Sequence, residues 1–429
     1  MDHIQMPYGL SRRDFLRTTA AASLSLGVGL NKAFAAGSDK IRVGVIGCGG
    51  RGTYDSTNCV NAADNVEIVA VADLFKEKTD TFLEHFKTHL PDKINVTPET
   101  CFWGFDAYKK LLACDIDLVI MTQTPQFRPL HFRAAIEAGK HVFMEKPVAV
   151  DPAGVRSILQ TANLADEKKL TVVAGTQMRR LAPLVEIMKR IHGGDLGQIT
   201  SGQCTRLGDG MLSWGPATRL PEWSDMEWQI RRWLFYTWLS GDFIVEQHVH
   251  NLDLINWALN AHPVHCSAVG GRQVRTDPLY GDIYDHIAVE YVYPGDIRIE
   301  YKGAQIDKIT GRNDQRLFGS KGVAYFDFGL AVIEGQNPFK YEGEMPDPAV
   351  RQHADQIDAI RNGKPLNEAV RIAESTLTAI MGRMSAYTGK SLSWKWVMEA
   401  SKLDLTPAEY AFTALPEMPV ALPGITPLV

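Results

Sequence analysis

Lys40–Gly52 reads KIRVGVIGCGGRG, and the rest of the chain can be understood outward from this stretch. Its β-branched, apolar first half is typical of a buried strand. Gly47, Gly49 and Gly52 then form G-x-G-x-x-G where a strand would turn into a helix. The first glycine permits a tight turn, the second lets a pyrophosphate approach the backbone, and the third lets helix and strand pack closely. The stretch predicts a dinucleotide site at a helix N-terminus, where amide donors and the helix dipole favour phosphate.

A second apolar strand is predicted over Val66–Ala72, and Asp73 follows it, 21 residues after Gly52. A carboxylate at this position would hydrogen-bond the adenosine ribose and repel a 2′-phosphate, so Asp73 favours NAD over NADP. The alternative is a glycine-rich turn followed by an ordinary exposed acid. The succession of strand, turn, helix and acid favours the dinucleotide site. The cofactor-binding residues predicted here are Gly47, Cys48, Gly49, Gly50, Arg51, Gly52 and Asp73.

Composition is that of an ordinary globular protein. The 429 residues are 45% hydrophobic and 22% charged, which is enough for two domains with cores of their own. A formal net charge of −5 and the lack of a basic stripe give no indication of nucleic-acid binding. The six cysteines show neither C-x-x-C spacing nor a dense framework, so nothing in the sequence requires a disulfide.

Residues 1–36 are predicted to be an export signal rather than part of the fold. Ser11–Arg17 reads SRRDFLR, which resembles a twin-arginine signal. The apolar run Thr18–Leu30 is too short to span a bilayer, and Ala33–Ala35 offers an A-x-A cleavage site. The alternative is that the Arg-Arg pair occurs by chance in an unstructured terminus. We expect an exported, periplasmic protein that has no membrane segment once the signal is removed.

Strands and helices alternate through the first part of the chain, which predicts a parallel, doubly wound sheet. This Rossmann domain would occupy residues 40–174. Successive strands between residues 264 and 328 predict a large, open, mostly antiparallel sheet. That sheet would belong to a second α/β domain over residues 175–400, which also contains a tryptophan-rich insertion. A proline-rich tail, residues 401–429, would complete the chain.

Several motifs occur in the order and approximate spacing of one family. They are GVIGCGGRG (44–52), DLVIMTQTPQFRPLH (117–131), AGKHVFMEKPVA (138–149), GTQMRR (175–180) and EQHVHNLDLINWAL (246–259). Together they resemble the glucose–fructose oxidoreductase, inositol dehydrogenase and rhizopine-catabolism (Gfo/Idh/MocA) family over residues 40–396. The resemblance implies a Rossmann domain, a C-terminal domain with an open sheet, and an active site in the cleft between them. It also implies a homo-oligomer that pairs through the open sheet.

Oxidising a sugar hydroxyl needs a base for the hydroxyl proton and a group that orients the oxygen. The resemblance places the lysine of Glu145-Lys146-Pro147 at the reacting centre, where an ammonium could relay protons. Glu246 and His250 stand where the family usually has Asp and His, with the same separation on one helix face. His250 is therefore the predicted general acid/base, and Glu246 would orient it or bind a substrate hydroxyl. The alternatives are a surface lysine paired with Glu145, and histidines that are satisfied buried polar groups.

The resemblance also implies contacts outside the glycine-rich loop. The loop after the fourth strand would border the nicotinamide ribose, and segments after the next two strands would touch the cofactor. The residues implied are Thr122, Thr124, Pro125, Glu145, Lys146 and Gln177. Arg179 or Arg180 falls where the family often has a substrate-contacting side chain, although either could be a surface cation. His248 stands where the family often has glycine and would add a substrate contact.

Five tryptophans crowd residues 214–238. Aromatic faces suit sugar rings, so Trp233 and Tyr236 are predicted to line the substrate cleft. The alternative is that these rings pack in the core or in a subunit interface. Glu246, His248 and His250 could be metal ligands on an extended segment, but no fourth ligand is evident and the resemblance implies no metal.

These observations predict an exported NAD-dependent oxidoreductase that acts on a sugar, a sugar derivative or a cyclitol. Because a periplasm has no evident pool for reoxidising free NADH, the enzyme would hold its cofactor tightly and run a closed redox cycle. A second hypothesis is an NAD-dependent glycoside hydrolase that oxidises its substrate transiently, eliminates the aglycone and reduces the ketone again. A third is a non-catalytic sugar-binding protein, which the intact loop, Lys146 and His250 disfavour.

Overall fold

The apolar run Ile41–Ile46 forms a strand in the middle of a six-stranded sheet in the computed structural model. The structure describes residues 39–211 and 213–429, so the predicted export signal lies outside the described residues. All neighbouring strands are parallel, in the order β3-β2-β1-β4-β5-β6 of a Rossmann sheet. The predicted doubly wound sheet is confirmed. Its strands are β1 (Ile41–Ile46), β2 (Val66–Asp73), β3 (Cys101–Trp103), β4 (Leu118–Met121), β5 (His141–Met144) and β6 (Val172–Ala174).

Five helices connect these strands. They are α1 (Gly50–Asn61), α2 (Lys76–His89), α3 (Ala107–Leu112), α4 (Arg128–Glu137) and α5 (Pro152–Glu167). The bounds of α1 and β5 agree with those expected from the sequence. Strand β3 was not expected, because its three residues, two partly buried and one exposed, show no alternation of apolar and polar side chains.

A nine-stranded sheet forms the second layer of the protein. Its order is β14-β13-β12-β11-β7-β10-β9-β8-β15, and every neighbouring pair is antiparallel except β7 with β10. The predicted mostly antiparallel sheet is confirmed. Its strands are β7 (Ile199–Gly208), β8 (His265–Gly271), β9 (His286–Tyr293), β10 (Ile297–Gln305), β11 (Arg312–Gly319), β12 (Gly322–Phe326), β13 (Ala331–Gly335), β14 (Phe339–Lys340) and β15 (Leu392–Ser393).

One face of this sheet is covered by helices, and the other is open. Along β10 the buried side chains of Ile299 and Tyr301 alternate with the exposed side chains of Arg298, Glu300 and Lys302. The helices that follow β6 are α6 (Ala182–His192), α7 (Asp225–Arg231), α8 (Thr237–Ser240), α9 (Phe243–Glu246), α10 (Val249–Leu259), α11 (Pro348–Arg361), α12 (Ala369–Thr388) and α13 (Trp394–Glu399). Within the described ranges, no helix is both long and apolar enough to cross a membrane.

The two sheets share one hydrophobic core. Helix α12, buried along most of its length, packs against β8 and β9 of the second sheet and against α5 of the first layer. Residues 40–429 accordingly form a single compact unit, and the division at residue 174 stays a prediction. The tail after residue 400 contains no helix or strand, but it is bonded to the body of the protein. The Leu405 amide donates to Asp151, and the Ala421 carbonyl accepts from the Tyr284 hydroxyl.

Candidate active site

The glycine-rich loop forms the turn between β1 and α1. Gly47 has a φ of +94°, and a Cβ at this residue would lie 2.5 Å from the backbone nitrogen of Gln123. A Cβ on Gly52 would lie 1.9 Å from the carbonyl oxygen of Gly47, so a side chain would push helix and strand apart. Gly49 has open space where its Cβ would be. The loop therefore leaves room for a phosphate beside the first turn of α1.

Asp73 ends β2 next to this loop. Its Oδ2 accepts a hydrogen bond from the Cys48 amide at 2.7 Å, and its Oδ1 accepts one from the Phe75 amide at 2.9 Å. Burial of the carboxyl raises the pKa of Asp73, and these two amide donors act in the opposite direction. Asp73 lines the cleft as predicted for a ribose-binding acid, and it also holds the glycine-rich loop in place.

A cleft with an internal volume of about 370 Å³ opens over the loop. Gly49, Asp73 and Thr122 line one side of it, and the tryptophan-rich insertion lines the other with Trp214 and Trp233. Trp233 was expected to line the substrate cleft, and it lies among the residues of this cleft together with the glycine-rich loop. The insertion reaches the cleft at Trp214 and again at Trp233, just after α7.

Three side chains on this cleft have buried polar atoms without hydrogen-bond partners. They belong to Gln123, Thr124 and His131. Burial lowers the pKa of His131 to about 3, so the ring is neutral at physiological pH. Buried polar atoms are normally hydrogen bonded. A ligand with both donors and acceptors, such as a nicotinamide dinucleotide, would supply the missing partners, and the residues of the cleft therefore fit that cofactor.

Not all of the other residues predicted to contact the cofactor line the cleft. Thr122 donates from Oγ1 to the carbonyl oxygen of Gly47 at 2.6 Å, which braces the loop. Pro125 is buried at the start of the short turn before α4 and is not among the cleft residues. Gln177 begins a turn after β6, and its Oε1 is buried without a partner.

Lys146 follows β5 and reaches the segment that carries the predicted acid/base pair. Its Nζ donates to the Glu246 carbonyl oxygen at 2.7 Å and to Glu246 Oε1 at 3.0 Å. The two side chains are only 9% and 12% exposed. The alternative of a surface pair with Glu145 is not formed. Glu145 Oε2 accepts from the Lys146 backbone amide at 3.0 Å, while Oε1 faces Arg51 Nε at 3.3 Å.

His250 lies in the first turn of α10, on the side that Lys146 approaches. Its ring is buried, and Nδ1 has no hydrogen-bond partner. Burial holds the pKa of His250 well below its ordinary value, and the charges of Lys146 and Arg206 lower it further. A neutral imidazole without a partner is able to accept a proton, which is what a general base requires.

Glu246 and His250 do not share one helix, in contrast to the expectation from their spacing. Glu246 ends α9 and His250 belongs to α10, with a break at Gln247 and His248. The break leaves the Glu246 carbonyl without an intrahelical donor, so it can accept from the lysine. The structure places Glu246 next to Lys146, but the prediction that Glu246 and His250 lie on one helix was wrong.

Comparisons with known proteins agree with this geometry. Residues 41–175 match the family model described as the oxidoreductase family with an NAD-binding Rossmann fold, GFO_IDH_MocA. The first sheet and its loops are therefore similar to this family, over less than half of the chain. The match begins at β1 and ends just after β6, so it covers the complete parallel sheet and the loop that borders the cleft.

Among curated relatives, an inositol 2-dehydrogenase/D-chiro-inositol 3-dehydrogenase of Halalkalibacterium halodurans is 26% identical over 221 residues, which are 51% of this chain and 53% of that protein. A glycosyl hydrolase family 109 protein of Streptomyces coelicolor is 27% identical over 163 residues, 38% of this chain and 33% of that protein. The chain spans about half the length of the curated relatives that it matches first.

Solved structures of other oxidoreductases show the same fold. The aldose-aldose oxidoreductase of Caulobacter crescentus, complexed with glycerol, is 17% identical with a TM-score of 0.64 and covers 82% of this chain and 99% of that one. A levoglucosan dehydrogenase in complex with NADH is 15% identical with a TM-score of 0.67 and the same coverage.

Two predicted substrate contacts are buried in the second domain. His248 is 1% exposed, and its Nδ1 lies 2.6 Å from the Tyr301 hydroxyl. Tyr236 is also 1% exposed, and its hydroxyl donates to Glu417 at 2.7 Å. The structure thus gives both residues packing roles. Their partners lie on β10 and in the C-terminal tail, far along the chain, which no local pattern reveals.

Arg179 likewise has a partner inside the protein. Its Nε and Nη2 donate to the two carboxylate oxygens of Asp253, each at 2.8 Å, and Ser375 donates to the same carboxylate. Arg180 is bonded to Asp355 and Glu368. Both arginines are thus held by carboxylates within the protein, and a substrate contact by either stays a prediction.

The metal alternative finds no support in the positions of these side chains. His248 is bonded to Tyr301, whereas Glu246 is bonded to Lys146, so the three proposed ligands do not converge. Across residues 39–211 and 213–429, no group of three or more His, Cys, Asp or Glu side chains is placed to hold a metal ion.

Arg128 is a positioning residue that the sequence did not reveal. It is buried in the first turn of α4 and donates to the carbonyl oxygens of Gln123, at 2.6 Å, and of Pro147. Burial lowers the pKa of Arg128 to about 10, which still leaves it charged at neutral pH. It ties the loop after β4 to the loop that carries Lys146. An arginine at a predicted helix start gives no local signal of such a role.

Asp242, immediately before α9, has a strained backbone. Its φ of +73° and ψ of 164° lie in a region used almost only by glycine. The buried carboxylate holds this conformation by accepting from the Phe243 amide at 2.5 Å, the Tyr284 amide at 3.0 Å and the Tyr387 hydroxyl at 2.6 Å. Because α9 ends at Glu246, the position of Glu246 depends on this anchor.

Asp242→Ala is expected to lower the free energy of unfolding by about 3 kcal/mol, because three buried donors lose their acceptor. Urea denaturation would measure this change. Asp242→Gly loses the same acceptor but relieves the backbone strain, so it should be less destabilised by about 1 kcal/mol or more. Equal destabilisation of the two variants would show that the backbone conformation carries no significant strain.

The raised pKa of Asp282 makes the stability of the protein depend on pH. It is buried, and its Oδ1 accepts from the Thr237 amide at 2.7 Å. Burial, with a contribution from the Asp242 charge, raises the pKa of Asp282 to about 7. An unfolded aspartate has a pKa of about 4, so the folded protein binds this proton more tightly. The resulting stabilisation is complete below about pH 4 and is lost as the pH rises through about 7.

Asp282→Asn is expected to remove this pH dependence. Between pH 5 and 7 the unfolding free energy of the variant should fall less steeply than that of the native protein, by up to about 1.4 kcal/mol per pH unit. Urea denaturation of both proteins at several pH values measures the difference. Parallel curves for the two proteins would contradict the raised pKa.

Proposed function

We propose that the protein is an NAD-dependent oxidoreductase that removes hydride from a carbon bearing a hydroxyl in a sugar, sugar derivative or cyclitol. The observation that carries the proposal is the contact of buried Lys146 with Glu246 beside a neutral, unpartnered His250. These residues stand near the loops that border the dinucleotide cleft. The inositol dehydrogenase relative and the aldose-aldose oxidoreductase and levoglucosan dehydrogenase structures support the substrate class.

Each of the three side chains has a distinct task in this proposal. The cleft residues would hold a nicotinamide, which would supply the hydride acceptor. His250 takes the hydroxyl proton, since its imidazole is neutral and has no internal partner. Lys146 donates a hydrogen bond to the substrate oxygen and stabilises negative charge that develops there. Glu246 holds the lysine ammonium in position through its carboxylate and its carbonyl oxygen.

NAD is the proposed cofactor, and we infer that it stays bound through the catalytic cycle. Asp73 at the end of β2 favours NAD because its carboxylate would repel a 2′-phosphate. Trp214 and Trp233 add an apolar wall opposite the glycine-rich loop, which enlarges the buried surface of a bound dinucleotide. Tight binding suits an enzyme that works where free NADH is not recycled.

The test is to release and identify any nucleotide from the purified protein, and then to add sugars and cyclitols without added cofactor. The near-ultraviolet absorbance of reduced nicotinamide would report hydride transfer. Reduction by a free polyol, followed by reoxidation with a second carbonyl compound, is the expected result. A protein that neither contains nor can be loaded with a dinucleotide would refute the proposal.

Glycoside hydrolysis through transient oxidation is a second candidate. It is favoured by the similarity to the family 109 glycosyl hydrolase and by the presence of three proton-transfer groups in one place. Release of an aglycone from aryl glycosides, with no net reduction of the bound nucleotide, would favour this function over the first. Such turnover should then continue without any second carbonyl compound.

We further propose that the protein is exported by the twin-arginine pathway and forms a homo-oligomer. The export proposal rests on SRRDFLR and the A-x-A site that follows it. The oligomer proposal rests on the open face of the second sheet, which no helix of the described residues covers. Cell fractionation with an Arg12→Lys, Arg13→Lys variant would test export, and light scattering after gel filtration would test assembly.

A further inference from the structure

Arg206, a cation beside the proposed catalytic residues, has no acidic hydrogen-bond partner. It lies on β7, and its Nη1 donates to the Gln247 carbonyl oxygen at 2.9 Å and to Asn251 Oδ1 at 3.3 Å. These neutral acceptors orient the guanidinium without neutralising it. Across the described part of the chain Arg206 forms no ion pair, and its Nε and Nη2 make no hydrogen bond. Two donors of the guanidinium therefore remain available.

The acid that influences Arg206 most is already bound to another cation. This acid is Glu246, whose carboxylate accepts from Lys146 Nζ at 3.0 Å. Burial outweighs the influence of Glu246, and the pKa of Arg206 is lowered. A largely buried, uncompensated cation is costly unless a ligand pairs with it.

Arg206 also lies close to the reacting centre. The residues that accept its hydrogen bonds, Gln247 and Asn251, flank His250 in the chain. Its guanidinium carbon is 5.8 Å from the ring centroid of Phe328, and the His250 ring is 6.4 Å from the same centroid. Both side chains thus lie beside Phe328, and the charge of Arg206 lowers the pKa of His250, so a group bound to Arg206 would be near His250.

We propose that the substrate is a sugar acid and that Arg206 binds its carboxylate. This inference rests on the oxidoreductase function proposed above and names its substrate class. The planar fork of a guanidinium matches a carboxylate, and the two free donors can bind it side by side. A neutral sugar or a cyclitol would leave Arg206 unpaired, and for that reason would bind more weakly.

The experiment compares each uronate with the neutral sugar of the same ring configuration. D-Glucuronate with D-glucose, and D-galacturonate with D-galactose, differ in the carboxylate that Arg206 would recognise. Binding to the purified holoprotein is measured by quenching of tryptophan fluorescence, and turnover by reduction of the bound nicotinamide. At least one uronate is expected to bind about 10- to 100-fold more tightly than its neutral partner.

Arg206→Met should raise the Kd and KM for that uronate by a similar factor and those for the neutral sugar much less. Arg206→Lys should restore part of the affinity, since it keeps the charge but not the fork. Arg298→Met is the control, because Arg298 is exposed on β10, the neighbour of β7, and its loss removes the same charge and only surface ion pairs, with Glu290 and Asp296. Thermal unfolding of each variant confirms that it is folded.

Several outcomes separate this inference from the proposed function. Neutral sugars that bind as tightly as their acids, or no binding by either uronate, would overturn the inference. An equal loss of affinity for the uronate and for the neutral sugar in Arg206→Met would also overturn it. Reduction of the bound nicotinamide by neutral sugars alone would overturn the inference and leave the proposed function intact. Uronates that bind through Arg206 without reducing the nucleotide would support the site and contradict the proposed function.

Discussion

Replacing Lys146 by methionine is expected to slow hydride transfer by about 10²- to 10⁴-fold, the range for loss of one proton-transfer group. Methionine is similar in length but removes the ammonium that contacts Glu246. The substrate oxygen would then lose both its donor and the stabilisation of negative charge. The bound nucleotide should be retained, because the glycine-rich loop is untouched. Single-turnover reduction of the bound nicotinamide measures the change.

Lys146→Arg is the matched control for this prediction. Arginine keeps the charge and can still donate to Glu246, but it does not release a proton at accessible pH. If Lys146 only orients the oxygen, the arginine variant should retain much of the rate. If it relays a proton, the arginine variant should be nearly as slow as the methionine variant. Normal turnover in Lys146→Met would show that the residue has no part in the reaction.

Gly52→Ala is expected to abolish dinucleotide binding and to destabilise the fold by about 3 kcal/mol or more. The added Cβ would lie 1.9 Å from the Gly47 carbonyl oxygen and 2.9 Å from Thr122 Oγ1. The first neighbour is backbone and cannot rotate away, so α1 must shift relative to β1. Urea denaturation measures the loss of stability, and the nucleotide content of the purified variant measures the loss of binding.

Gly49→Ala separates these two effects. No protein atom lies within 4 Å of a Cβ at Gly49, and its φ of −75° suits alanine. This variant should fold with nearly native stability, yet its methyl group would occupy the space predicted for the pyrophosphate. We expect it to lose nucleotide affinity while keeping its unfolding free energy. A Gly49→Ala protein that retains the nucleotide would contradict the placement of the phosphates.

The parts of the fold that follow from short sequence patterns were predicted well. The bounds of α1 and β5 agree because a glycine-rich turn and a short apolar run are each complete within a few residues. The helix expected to join Glu246 to His250 failed for a related reason. At the break the Glu246 carbonyl accepts from Lys146, which lies 100 residues earlier, and the spacing of two residues does not reveal such a contact.

The candidate site residues show the same difference between contacts that are local in the chain and contacts that are distant. Gly47, Gly52 and Asp73 occupy the predicted places because their neighbours are the adjacent strand and turn. His248 and Arg179 have internal partners that lie 53 and 74 residues away in the chain. Whether a polar side chain is free for a ligand depends on whether such a distant partner exists, and a local pattern does not contain that information.

The sequence by itself determined the parallel sheet, the glycine-rich loop and the acid after β2, because each depends on backbone conformation and on contacts between successive elements. Only the tertiary structure decided which charges pair and which remain free. It joined Lys146 to Glu246 across 100 residues, brought Trp233 to the dinucleotide cleft, and left Arg206 without an acid. The physical reason is that burial and charge compensation depend on side chains from separate elements, which come together only when both sheets have packed around their common core.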